Sequence, residues 1–167
     1  MKNIFIDCEW NPLNHSKIFL IGYAYNLSSS GVLTDKKINA TELKRILKPV
    51  TGFIFVYGPD IGVMEKNLSM DIRNNYRCIN MLTLVRNEIP GLPCYKLYKI
   101  EQYFNIYRKT MDYKFDIFRI ISDWKTYEGR KKVIKYNMED VINLPRIFNA
   151  LRKSGLTYRK VMKYRIR

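Results

Sequence analysis

The chain has 167 residues, 47% of them hydrophobic and 14% aromatic, which suits one α/β domain, residues 1–167, around a single core. Its 30 Lys and Arg against 15 Asp and Glu leave a net charge of +15, pointing to a polyanionic partner or an anionic surface. No run reaches the roughly 18 apolar residues of a membrane span, no signal-peptide pattern opens the chain, and Cys8, Cys78 and Cys94 form neither a disulfide framework nor a C-x-x-C metal pattern.

The three cysteines are expected as reduced thiols in a cytoplasmic setting. The lone His15, expected in an exposed loop, excludes a site built on several imidazoles. The first element is the strand at 3–10, N-I-F-I-D-C-E-W, whose apolar start predicts burial. A polar turn at 11–17 leads to a strand at 18–25. The turn cluster N-L-S-S-S-G at 26–31 returns the chain into a third strand at 32–38. Thr41 caps a short helix at 42–48 that Pro49 stops. The run F-I-F-V-Y at 53–57 is apolar throughout and belongs inside the sheet. Gly58-Pro59-Asp60 breaks it before a helix at 61–68.

A short edge strand at 76–79 and a helix at 81–86 precede a loop at 90–93. Leu97, Ile100, Tyr103 and Phe104 recur at helical spacing, and a polar connection follows at 105–112. Phe115, Phe118, Ile120 and Ile121 predict a helix to about residue 127, ended by Gly129. The last helical pattern runs over 130–152 with a kink at Pro145, and the remaining tail is strongly basic. A strand meander followed by alternating helix and strand predicts a mixed sheet with helices on its faces.

Four carboxylates stand out against this plan. Asp7 and Glu9 are i and i+2 on one strand, so they share a face. Like charges held that close repel unless a cation sits between them, and a divalent metal suits carboxylate oxygens. The alternative is a strand end with solvated acids. Asp60 follows the fourth strand, where open α/β sheets gather functional groups, or it serves as a helix cap. Tyr136 and Asp140 are i and i+4 on the helix face that carries Val133 and Leu144. A carboxylate on that apolar face is costly unless paired or metal-bound. Tyr136 reads equally as a core aromatic, and Glu139 is expected to turn away into solvent.

The segments I-D-C-E at 6–9, Y-G-P-D at 57–60 and Y-N-M-E-D-V at 136–141 come in an order that resembles the DEDD exonuclease superfamily, in its tyrosine-bearing branch. The segment P-x-Y-K-L-x-x-I-E at 93–101 resembles a stretch in RNase H-like nucleases of that branch. The resemblance spans about residues 3–151. It implies an RNase H-like fold, a mixed five-stranded sheet flanked by helices on both faces. It also implies two Mg²⁺ or Mn²⁺ ions held by Asp7, Glu9, Asp60 and Asp140, with Tyr136 positioning the attacking water. The histidine-bearing branch is excluded, because His15 lies far from the third motif.

Substrate contacts are expected from two basic clusters. One is Arg130, Lys131 and Lys132; the other runs through Arg152, Lys153, Arg159, Lys160, Lys163 and Arg165, with Tyr158 interleaved for stacking. A solvated basic face is the alternative. The resulting expectation is a two-metal nuclease, a 3′–5′ exonuclease on single-stranded DNA or RNA. A catalytically silent nucleic-acid-binding module and a structure-selective endonuclease are the alternatives.

Overall fold

The computed structural model describes residues 1–11, 17–113 and 116–167. His15, Phe115 and most of the turn at 11–17 lie outside the described residues. The chain opens with β1 (Ile4–Trp10), β2 (Ile18–Tyr25), β3 (Ser29–Thr34) and α1 (Ala40–Leu47). It continues through β4 (Ile54–Val56), α2 (Asp60–Leu68), α3 (Ile72–Asn75), β5 (Cys78–Asn80) and α4 (Met81–Glu88). It closes with α5 (Leu97–Tyr103), α6 (Ile117–Trp124), the long α7 (Tyr127–Lys153) and α8 (Tyr158–Val161).

The sheet has the order β3-β2-β1-β4-β5. Short connections make the first three strands an antiparallel meander; β4 and β5 join parallel to β1, reached over helices, as parallel pairing requires. This is the mixed five-stranded α/β architecture predicted from the element order.

The alternation along β1 divides the core. Ile4, Ile6 and Cys8 pack into a layer with Leu43 and Ile46 of α1 and Ile61 and Met64 of α2. Phe5 points the other way, into a layer with Phe55, Leu144 and Phe148. There it stacks on Phe55 at 4.7 Å between ring centroids, and Phe55 meets Phe148 at 4.6 Å. Each Phe buried this way contributes roughly 1.5–3 kcal/mol. By the same period of two, Asp7 and Glu9 emerge on the Phe5 side, the side that α7 covers.

Several boundaries differ from the predicted ones. The third strand is Ser29–Thr34 rather than 32–38, because the hairpin turns on Asn26–Ser28 and Tyr25 already pairs with Ser29. Asn26 takes the left-handed conformation the turn needs (φ 49°), which Asn tolerates. Beyond Thr34 the chain turns into a 3₁₀ segment, Asp35–Lys37. Asn39, not Thr41, caps α1, its side-chain oxygen accepting from the Glu42 amide at 2.9 Å. Gly129 does not end a helix. It lies in the first turn of α7, where its amide donates to the Thr126 hydroxyl, and it sits against the Asp123 carbonyl at the end of α6. α7 continues through Pro145 to Lys153.

The basic tail is folded onto the sheet. Leu156 and Val161 are buried, Arg165 bridges antiparallel to Ile79, and the Ile166 amide donates to the Cys78 carbonyl at 2.8 Å. Among the described residues no helix is long and apolar enough to cross a membrane.

Candidate metal centre

Three elements meet at one rim of the sheet. β1 ends in Asp7 and Glu9; its parallel neighbour β4 runs out through Tyr57, Gly58 and Pro59 into Asp60; α7 crosses above with Tyr136, Asn137 and Asp140. Asp7, Glu9 and Asp140 each offer an oxygen within 4.8 Å of the other two. Asp60 lies on the same cleft but outside that trio. It is the first residue of α2, with Pro59 at the cap position, and its Oδ1 accepts from the Cys8 amide at 3.0 Å. That bond fastens it to β1 between the two strand acids. All four acids line one cleft of about 690 Å³.

Asn137 links strand and helix. Its Nδ2 donates to Asp7 Oδ2 at 2.7 Å, to the Asp7 carbonyl at 3.3 Å and to Glu9 Oε1 at 3.4 Å. α7 reaches this depth because β2 carries Gly22 opposite Asp7; a Cβ there would stand 2.0 Å from Asn137 Oδ1 and 3.2 Å from Val141 Cγ1. Gly22→Ala therefore overpacks the joint, with an expected loss of about 1–3 kcal/mol. Thermal unfolding of the metal-free protein measures it as a lower midpoint.

The acids are under-compensated. Burial, then the charges of Asp140, Glu9 and Asp60, hold Asp7 well above the ordinary carboxylate range. Burial and Asp140 push Glu9 up to about 8, against the Asn137 hydrogen bond. Burial raises Asp140 to about 7 although Arg108 opposes it, and raises Asp60 to about 6 against the Cys8 amide. Tyr136, half-buried, is also shifted upward by burial and by Asp140, so its hydroxyl stays protonated and is able to donate a hydrogen bond. Buried carboxylates left short of positive charge are what a hard divalent cation satisfies, and oxygens this close to one another fit ligand distances of about 2.0–2.6 Å around such an ion. The donor set thus fits a divalent metal.

Sequence reasoning gave no site role to Arg108, or to Glu101 at the end of the 93–101 segment. The side chain of Arg108, expected in a polar connection, is 4% exposed. Its Nε and Nη2 donate to both oxygens of Glu101 at 2.6 and 2.8 Å, and Nη2 also donates to Asp140 Oδ1. Asn143 Nδ2 donates to Glu101 at 2.9 Å. The guanidinium lies 5.3 Å from the Tyr136 ring centroid. Glu139 is not solvated as expected. Its carboxylate accepts from the Lys109 and Thr110 amides, at 2.6 and 2.7 Å, and from the Thr110 hydroxyl, pinning the loop that carries Arg108.

The predicted substrate cations lie elsewhere. Arg130 donates to the Trp124 carbonyl at 2.8 Å and its guanidinium covers the Trp124 ring; Lys131 pairs with Glu128 at 3.1 Å, and Lys132 is exposed. Tyr158 is half-buried, stacked on Phe53 and covered by Arg152. Lys160 faces Glu88 at 3.8 Å, while Lys153, Arg159 and Lys163 are exposed. Arg165 sits beside Thr51 and Arg77, which precede β4 and β5, at the end of the sheet away from the acids. None of these lines the acid cleft; among the described residues, its cations are Arg86, Lys96 and Arg108.

A family model for the RNase H superfamily matches residues 4–152, from the first residue of β1 almost to the end of α7. None of the curated proteins matches the chain. The matched span holds the whole mixed sheet and every acid of the cleft, and the chain belongs to the RNase H superfamily.

Proposed function

We propose that the protein is a metal-dependent nuclease that hydrolyses phosphodiester bonds, acting as a 3′–5′ exonuclease of the DEDD type on single-stranded DNA or RNA. The observation that carries this reading is the trio of carboxylate oxygens from β1 and α7, within 4.8 Å of one another in a cleft of an RNase H-type sheet. Asp7, Glu9 and Asp140 would hold the metal, with Asp60 as the fourth ligand. Two Mg²⁺ or Mn²⁺ ions bound there would supply Lewis acidity and offset charge on the attacking and leaving oxygens.

The chain's own residues do the rest. Asn137 keeps the two strand acids in register with α7, and the protonated Tyr136 hydroxyl orients the water by donating to it or to the phosphate. Arg86 and Lys96 on the cleft wall offer charge to the backbone of the strand. The exposed cations Lys132, Lys153, Arg159 and Lys163 serve as outer contacts for strand that extends past the cleft.

The pairing of Arg108 with Asp140 favours a second reading, a binding module without catalysis, because it engages one of the ligands. A labelled oligonucleotide with Mg²⁺ or Mn²⁺ decides. Stepwise shortening that stops when the 3′ end is blocked is expected. Internal cleavage of the blocked strand would make the protein an endonuclease, and binding without cleavage would make it the silent module.

A further inference from the structure

The guanidinium of Arg108 is the feature that the metal site itself does not use up. It has five N–H donors. Three are placed: Nε–H and one on Nη2 with Glu101, and one on Nη2 with Asp140. Nη1 is buried and has no hydrogen-bond partner among the described residues. Arg108 lines the same cleft as Asp7, Glu9 and Tyr136.

Two features mark this as a built position. Glu101 is 1% exposed and grips one edge of the guanidinium with both oxygens, while Asn143 holds Glu101 in turn. Glu139 fixes the backbone of the two residues that follow Arg108. The guanidinium therefore keeps its place whether or not Asp140 stays with it. A pair that only cancelled charge would use the whole fork. Here a buried donor is left over, and burying one without an acceptor is unfavourable, so none of the described residues supplies its acceptor and a guest in the cleft can. The guest proposed for this cleft, a phosphodiester, carries non-bridging oxygens of the kind that Arg recognises.

We propose that Arg108 is a phosphate-binding catalytic residue: anchored by Glu101, it donates from Nη1 to a non-bridging oxygen of the substrate phosphate. The assignment rests on the nuclease reading. When Asp140 turns to a divalent cation, the Nη2 donor it releases is available to the same phosphate.

Thymidine 5′-monophosphate, a probe that cannot turn over, tests this by calorimetric titration of the full chain with Mn²⁺ present. Mn²⁺ affinity is followed separately by electron paramagnetic resonance. Arg108→Lys keeps the charge and loses the fork; the double variant Glu101→Gln with Arg108→Met removes both buried charges together and protects folding. In both, nucleotide affinity is expected to fall at least tenfold while Mn²⁺ affinity weakens no more than threefold. Unchanged nucleotide affinity overturns the proposal. So does a matching loss of Mn²⁺ affinity, which makes Arg108 a positioning residue for Asp140, and so does a wild type that takes up Mn²⁺ but no nucleotide. A wild type that takes up no Mn²⁺ overturns the nuclease reading itself and this proposal with it.

Discussion

Asp7→Asn and Asp140→Asn should each give a folded protein that has lost divalent-cation binding and at least a hundredfold in hydrolysis. The bound comes from outer partners of metal ligands, whose loss alone costs about 10–100-fold. Asn keeps the shape of Asp and supplies one neutral oxygen, so the change falls on charge. Asp7→Asn should also stabilise the metal-free protein. Asp7 sits well above the ordinary carboxylate range through burial and its acidic neighbours, so ionising it in the fold is unfavourable. Relief of only ~1 kcal/mol raises the melting temperature by about 2–4 °C in a chain of this size. Calorimetry of Mn²⁺ binding, oligonucleotide hydrolysis and metal-free melting measure the three effects. A variant with wild-type Mn²⁺ affinity would remove its acid from the metal site, and a metal-free Asp7→Asn protein less stable than wild type would contradict the charge strain.

Without metal, stability should decline between about pH 5 and pH 8, and saturating Mg²⁺ or Mn²⁺ should flatten that decline. The sign follows from linkage. Glu9 (about 8), Asp140 (about 7), Asp60 (about 6) and Asp7 all hold protons in the fold at pH values where the unfolded chain has released them. The native state thus binds more protons across this window, and the free energy of unfolding falls as pH rises. Each retained proton is worth about 1.4 kcal/mol per pH unit. Glu65 and Glu139 act with the opposite sign. Despite burial, Arg73 holds Glu65 low and the Lys109 and Thr110 donors hold Glu139 low, so their stabilisation is complete above the ordinary range and is lost only in acid. Melting temperatures of wild type and Glu9→Gln from pH 5 to 8, with and without metal, isolate the site. Parallel curves for the two proteins would refute the assignment.

What the sequence made legible follows from range. The i, i+2 acids of β1 and the i, i+4 pair Tyr136 and Asp140 obey local periods, so their faces could be read before any fold was known. The Gly58-Pro59-Asp60 break put Asp60 at the end of a buried strand for the same reason. Glycines misled. Gly31 was counted with the turn, yet it lies within β3, where the Tyr23 ring covers it; Gly129 looked like a stop, yet it is a point of close approach between α6 and α7. Both are tertiary uses, invisible to local pattern. Arg108 carries no signal of its own: a cation among polar residues looks solvated, and only the meeting of α5 with α7 buries it between Glu101 and Asp140. Glu139 was turned outward correctly on the helix wheel, but the loop it grips was not visible there. The basic tail looked like an open surface, and two of its apolar residues, Leu156 and Val161, draw it onto the core.

β1 serves two masters within seven residues. Its even positions fill an oily layer under α1 and α2, while its odd positions deliver Phe5 and then the acids to the opposite side. Gaining or losing one residue ahead of Asp7 would trade these roles wholesale, sending two carboxylates into hydrocarbon and a thiol to the rim. The strand therefore tolerates exchange of side chains but not insertion or deletion, because the placing of its acids and its capacity to fold share one register.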